Sequence, residues 1–166
     1  MTPYQKALVI GDGFMGELFV QILQDYGINQ VDLAGIVPEK LAMNKEKFGV
    51  KNTYNTKDGD KIPEGTYDVV VEAVGLPQTQ EAAIEASARG AQVLMFGVGG
   101  PDAKFQMNTY EVFQKQLTIQ GSFINPNAFE DSLALLSSGK LDVESLMSHE
   151  LDYQTVDDFV KADCKK

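Results

Sequence analysis

Cysteine and histidine are almost missing from this chain, which has one of each in 166 residues. Cys164 alone cannot form an internal disulfide, so the sequence predicts a reducing, cytoplasmic location. A zinc site needs about four ligands, a structural site prefers cysteine and histidine, and one of each cannot supply them. We therefore interpret His149 as a packing or hydrogen-bonding residue and Cys164 as a bystander. We expect no catalytic and no metal-binding residue in the chain.

Basic residues and long apolar runs are also scarce. The chain has 14 lysines and arginines against 24 aspartates and glutamates, for a net charge of −10. No basic patch is present, which argues against a nucleic-acid partner. No apolar run approaches the roughly 18 residues of a membrane span. The N-terminal residues lead directly into a strand pattern, so we expect neither a signal peptide nor a membrane partner.

The most informative motif lies at residues 7–16, with the sequence ALVIGDGFMG. An apolar run ends in G-x-G-x-x-G, and a helical pattern follows, which is typical of the turn that holds a dinucleotide pyrophosphate. Gly11 permits the tight turn, Gly13 lets phosphates approach the backbone, and Gly16 lets the helix pack closely. The helix N-terminus, with Phe14 and Met15, then offers free N–H groups to the phosphates.

Strand and helix patterns alternate along the whole chain. This alternation predicts one α/β domain over residues 1–166, a doubly wound parallel sheet of about six strands with helices on both faces. The predicted strands are residues 6–10, 31–37, 53–54, 67–72, 91–96 and 117–121. The predicted helices are residues 15–26, 38–48, 78–88, 109–114, 128–138 and 154–161, with glycines such as Gly90 ending several of them.

Small or glycine-rich loops follow the later strands, at the edge where ligands bind in such sheets. Residues 72–77 follow the fourth strand, residues 97–101 the fifth, and residues 122–125 the sixth. Each loop alone is equally well explained as a tight turn, but together with the glycine motif they favour a cofactor site. The loop residues predicted to contact the cofactor are Ala73, Val74, Gly75, Gly97, Val98 and Phe123.

These segments together resemble a known family. The stretches ALVIGDGFMG, YDVVVEAVG, VLMFGV and LTIQGSFIN, with residues 128–140 and 146–149, resemble the cofactor-binding (Rossmann) domain of the medium-chain, zinc-type alcohol and polyol dehydrogenases. The similarity covers nearly the whole chain, and the GSFIN segment is closest to the sorbitol-dehydrogenase-like branch. The resemblance places Glu72 beside the cofactor, where it bonds ribose or backbone. It also implies a homodimer that pairs through the strand at residues 117–121.

The resemblance further implies a zinc-bearing catalytic domain that this chain does not contain. In that family the catalytic zinc is held by cysteine, histidine and a carboxylate, and many members hold a structural zinc on four cysteines. The chain thus looks like the cofactor domain of a larger oxidoreductase, with that missing domain as its partner. By itself it is expected to bind NAD(P)(H) and to oxidise no alcohol.

The choice between NAD and NADP depends on the end of the second strand. NAD-binding folds place Asp or Glu there to bond the ribose hydroxyls, and the family pattern puts Gly35 at that position. Glycine neither bonds the 2′-hydroxyl nor repels a 2′-phosphate, and Lys40 lies one helical turn further on. These two residues favour NADP slightly over NAD.

Two other functions remain open at this point. A free-standing, non-catalytic nucleotide-binding module, such as a sensor or partner subunit, would carry the same glycine motif. A methyltransferase also uses a glycine-rich loop after its first strand, although the loops after the fourth and fifth strands argue against it.

Overall fold

The computed structural model describes residues 2–124, 127–153 and 155–163. Its centre is a parallel sheet in the order β3-β2-β1-β4-β5-β6. The first three strands are added towards one edge of the sheet and the last three towards the other, so the strand order reverses between β1 and β4. The strands are β1 (Lys6–Ile10), β2 (Gln30–Gly35), β3 (Thr53–Asn55), β4 (Tyr67–Glu72), β5 (Ser87–Met95) and β6 (Thr118–Gly121). This order confirms the predicted doubly wound sheet.

Helices cover both faces of the sheet, as predicted. They are α1 (Phe14–Asp25), α2 (Pro38–Lys47), α3 (Pro77–Ala86), α4 (Thr109–Lys115), α5 (Phe129–Ser137) and α6 (Val156–Asp163), with a short 3-10 turn at Glu144–Leu146. Leu23 of α1 and Leu41 of α2 pack with Val9 on one face, while Ile84 of α3 packs with Leu8 on the other. Leu8 and Val9 are both 0% exposed, because a central parallel strand is buried on its two sides.

The predicted bounds of β1 and β4 are confirmed, while β2 and β5 differ most from their predictions. β2 ends at Gly35 rather than at residue 37. The N–H groups of Ile36 and Val37 donate to the Asp12 carboxylate instead of joining the sheet ladder. The carboxylate of Asp12, from another loop, thus ends this strand. The local apolar pattern of the strand gives no sign of this contact.

β5 begins four residues earlier than predicted, at Ser87 rather than residue 91. Ser87 pairs with Tyr67 and Gln92 with Val69, so several residues of β5 bulge out opposite Asp68 alone. Gly90 takes a φ of +76° within this bulge. The sequence predicted that Gly90 ends a helix. That prediction is wrong, because α3 already ends at Ala86.

The other predicted elements match the structure to within one or two residues. The predicted start of the last helix, Gln154, lies outside the described residues, as do Asn125 of the loop after the sixth strand and Cys164. None of the helices in the described ranges has both the length and the apolar composition that a bilayer-spanning segment needs.

A buried carboxylate ties β2, β3 and β4 together. Asp32 Oδ2 accepts hydrogen bonds from the hydroxyls of Tyr67, at 2.8 Å, and Tyr54, at 3.3 Å. Its Oδ1 accepts from the backbone N–H of Asn52, at 3.0 Å. Burial, followed by the bonds to Tyr54 and Asp32, raises the pKa of Tyr67, so this hydroxyl remains a donor. Asp32 is thus committed to the core rather than to a ligand.

Replacing Tyr67 by phenylalanine should lower the free energy of unfolding by about 1–2 kcal/mol, because a buried carboxylate loses a donor. Urea denaturation of Tyr67→Phe at pH 7 measures the change. Tyr26→Phe is the matched control, since Tyr26 lies exposed at the end of α1. Equal stability of the two variants would contradict a structural role for the Asp32 network.

Candidate functional site

A cavity of about 540 Å³ opens at the carboxyl edge of the sheet, beside the point where the strand order reverses. Of the residues predicted to bind a cofactor, five line it: Gly11, Gly13, Gly35, Ala73 and Val74. Apolar side chains, including Ile62, Leu76 and Ala82, form much of the remaining wall. An open cleft with apolar walls at a topological switch point is where doubly wound sheets bind nucleotides.

The glycine motif is folded around close backbone contacts. Gly11 has a φ of +122°, which a residue with a side chain rarely adopts. A Cβ at Gly16 would lie 1.7 Å from the carbonyl oxygen of Gly11, so α1 packs directly on the turn rather than only on the strand. At Gly13, by contrast, an added Cβ would meet no atom within 4 Å. The site therefore has free space at the position where the motif predicts phosphate.

The N-terminus of α1 begins at this free space. Gly13 is its N-cap residue, and no side chain caps the helix. The first N–H bond within the helix runs from Glu17 to the Gly13 carbonyl, which leaves the amides of Phe14, Met15 and Gly16 without helical partners. Uncapped amides and the helix dipole together favour an anion at this position.

Glu72 shapes the loop that follows β4. This fully buried carboxylate accepts hydrogen bonds at Oε1 from the N–H groups of Val74 and Gly75, both at 2.9 Å, and from the Thr79 hydroxyl at 2.7 Å. Its Oε2 has no partner among the described residues. Glu72 therefore bonds backbone, which is one of the two roles expected of it, and holds the wall formed by Ala73 and Val74.

The loops after β4 and β5 press against each other through glycines. A Cβ at Gly75 would lie 2.6 Å from the backbone of Val98, and one at Gly97 would lie 2.1 Å from the Gly75 nitrogen. The small residues in these loops thus serve loop packing directly. Val98 and Phe123 are each 87% exposed and do not line the cavity. Their predicted contact with a cofactor stays a prediction.

The side chain of Asp12 lies where a side chain at position 35 would begin. A Cβ at Gly35 would lie 2.4 Å from Cγ and from Oδ2 of Asp12. The same Oδ2 accepts the N–H groups of Ile36, at 2.7 Å, and Val37, at 2.6 Å. Asp12 is not among the residues predicted to bind a cofactor. Two sequence features together could have indicated its role: an acidic residue within the glycine motif, and a glycine at the end of the neighbouring strand.

Lys40, predicted to lie near a phosphate, does not line the cavity. It lies in the first turn of α2, where its charge acts on Glu17 in the first turn of α1. Burial raises the pKa of Glu17, while Lys40 and a hydrogen bond from Asn44 partly offset that rise. The charge of Lys40 thus acts on a buried carboxylate outside the cavity.

His149 lies away from the cavity, consistent with a packing role. Its Nδ1 is 2.9 Å from the Ser148 hydroxyl, and its ring centroid is 4.9 Å from that of Phe159. In the described ranges, no group of three or more histidine, cysteine, aspartate or glutamate side chains is arranged to hold a metal ion.

Comparison with known proteins decides the family. Residues 15–138 match the zinc-binding dehydrogenase family. The chain belongs to this family. A curated relative, the D-altritol 5-dehydrogenase of Agrobacterium fabrum, is 31% identical over 147 residues, which span 89% of this chain and 44% of that enzyme. The chain therefore spans less than half the length of this family member.

Two solved structures share the fold. A zinc-binding dehydrogenase of Sinorhizobium meliloti bound to NADP superposes with a TM-score of 0.82 at 24% identity, over 87% of this chain and 44% of that one. An alcohol dehydrogenase of Escherichia coli complexed with NADH superposes with a TM-score of 0.80 at 24% identity, over 96% and 48%. Both confirm the predicted α/β fold.

Replacing Glu17 by glutamine should stabilise the chain at pH 7. A carboxyl group whose pKa is raised by burial holds its proton more tightly when folded, so stability falls as the pH rises through the interval above its usual value of 4.5. Glutamine keeps an acceptor for Asn44 and carries no buried charge.

The gain of Glu17→Gln should be largest above that interval and should shrink as the pH falls through it towards 4.5. Urea denaturation at several pH values measures the difference from the wild type. Glu46→Gln, on the exposed side of α2, is the control and should change little. A variant less stable than the wild type at pH 7 would show that the Glu17 charge is favourable.

Proposed function

We propose that residues 1–166 form one dinucleotide-binding domain, which holds NAD(P)(H) for an alcohol or polyol dehydrogenase. The observation that carries this proposal is the free space at Gly13 in front of the uncapped N-terminus of α1. Pyrophosphate would lie at that position, with the rest of the adenosine half in the cavity between Gly35 and Leu76. When bound, the nicotinamide ring supplies hydride transfer.

Family membership supports this function over the two alternatives, a free-standing binding module and a methyltransferase. The relative from A. fabrum acts on a polyol, and the two superposed structures hold NADP in one case and NADH in the other. The zinc chemistry of the whole enzyme would belong to a further domain, because the described residues here do not fit a zinc site. The single cysteine is consistent with a reducing, cytoplasmic compartment.

The slight preference for NADP is not part of this proposal. It depends on the lack of a carboxylate at Gly35 and on Lys40, whereas the Asp12 carboxylate lies against the Gly35 position and Lys40 does not line the cavity.

Replacing Gly13 by valine should abolish NAD(H) and NADP(H) binding, or weaken it by at least about 100-fold, because the side chain fills the phosphate position. Isothermal titration calorimetry of Gly13→Val against the wild type measures the loss. Gly121→Val is the matched control, since Gly121 also has open space around an added Cβ and does not line the cavity. Unchanged affinity in Gly13→Val would refute the proposed site.

We also propose that the chain forms a homodimer through β6. This strand is at the edge of the sheet, and three of its four residues are exposed. An edge strand presents unpaired N–H and C=O groups that a second copy can pair with. The exposed side chains of Phe123 and Ile124 lie two and three residues after it and would add apolar contact.

Analytical ultracentrifugation at concentrations of tens of micromolar should therefore give a sedimenting mass of two chains, since even a modest interface forms a detectable dimer in that range. Thr118→Pro, which removes one backbone donor from β6, should shift the equilibrium towards the monomer while the circular dichroism spectrum is retained. A wild-type monomer at these concentrations would contradict the proposed pairing.

A further inference from the structure

We propose that the carboxylate of Asp12 binds the adenosine ribose of the cofactor and makes the site selective for NAD(H) over NADP(H). The inference rests on the proposed function, because it concerns how the same cavity discriminates between two dinucleotides. It assigns to a residue of the glycine motif the task that an acidic residue at the end of the second strand performs in NAD-binding sheets.

The position of the carboxylate is the first argument. Asp12 lies within the turn after β1, and its Cγ is 2.4 Å from where the Cβ of residue 35 would be. β1 and β2 are neighbours in register, with Ile10 opposite Ala34, so the next residues of both strands reach the same edge. The side chain of Asp12 thus occupies the space that a strand-end acid would occupy, although it arrives from the neighbouring strand.

The hydrogen bonds of Asp12 hold this carboxylate in place and leave one oxygen available. Both of its bonds fall on Oδ2, which accepts from Ile36 at 2.7 Å and Val37 at 2.6 Å. Across the described ranges, Oδ1 has no hydrogen-bond partner, and it is not among the fully buried unpaired oxygens. A fixed carboxylate with one accessible oxygen is suited to accept a ribose hydroxyl, because little conformational freedom is lost on binding.

The charge of the cavity is the second argument. Asp12, which is 8% exposed, is the only charged side chain among the described residues that line it. A 2′-phosphate near this position would face a carboxylate, and no lysine or arginine lines the wall to offset that repulsion. A 2′-hydroxyl, by contrast, gains a charge-assisted hydrogen bond.

A purely structural role for Asp12 is the competing explanation, since its carboxylate also connects the β1 turn to the start of α2. Asparagine separates the two roles. Its amide oxygen can still accept the N–H groups of Ile36 and Val37, so the local structure is kept. The negative charge is lost, and the remaining NH₂ group can donate to a phosphate.

The test is calorimetric titration of NAD⁺ and NADP⁺ into the wild-type chain and into Asp12→Asn. The wild type should bind NAD⁺ at least about tenfold more tightly than NADP⁺, and Asp12→Asn should lower that ratio by about tenfold. The matched control is Glu39→Gln, which removes one charge from the exposed first turn of α2 and should leave the ratio within about twofold.

A second pair of variants removes the carboxylate at position 12 and then supplies one at position 35. Asp12→Ala should lose the preference for NAD⁺, and Asp12→Ala with Gly35→Asp should regain it, because the strand-end carboxylate then fills the vacated space. Circular dichroism and thermal melting of each variant confirm that it is folded.

The possible results separate this inference from the proposed function. If the wild type binds neither nucleotide, both are overturned. If it binds a dinucleotide but prefers NADP⁺, or if Asp12→Asn keeps the wild-type ratio, only the role of Asp12 is overturned. A shift in Glu39→Gln as large as that in Asp12→Asn also overturns it, because the effect would then come from net charge.

Discussion

A methyl group at Gly16 would lie 1.7 Å from the carbonyl oxygen of Gly11, so the first helix is in backbone contact with the turn that precedes it. This contact determines where α1 begins relative to the sheet. It directs the uncapped amides of the helix towards the carboxyl edge, where Gly13 leaves space for an anion. A larger residue at position 16 would move the helix away from the turn and displace the amides that the backbone offers to a phosphate.

The opposite wall of the cavity also depends on glycines that let two backbone segments come into contact. Gly75 and Gly97 allow the loops after β4 and β5 to touch through their backbones, and Glu72 binds the amides of Val74 and Gly75 from below. A buried carboxylate is costly unless it is hydrogen-bonded, and three donors meet it here through one oxygen. The loop is therefore fixed before any ligand arrives, which limits the entropy lost on binding.

Much of this architecture could be predicted from the sequence, because its signals are local. The continuous apolar runs of β1 and β4 gave bounds that the structure confirms, and the glycine motif correctly indicated the turn and the helix start. The end of β2 and the start of β5 could not be predicted in this way. The first is set by the Asp12 side chain from another loop, and the second by a bulge opposite Asp68. Both are tertiary effects that a local pattern does not encode.

The same limit applies to the acidic residue that NAD-binding sheets carry at the end of the second strand. A rule based on one strand position assumes that only that strand can deliver a side chain to the ribose. In a parallel sheet, however, adjacent strands end at the same edge, and here a carboxylate on the β1 turn lies within 2.4 Å of an added Cβ at Gly35. Glycine at position 35 is then a steric requirement of Asp12, because both side chains cannot occupy that space. Positions 12 and 35 must therefore be considered together, because a carboxylate in this space can come from the end of either β1 or β2.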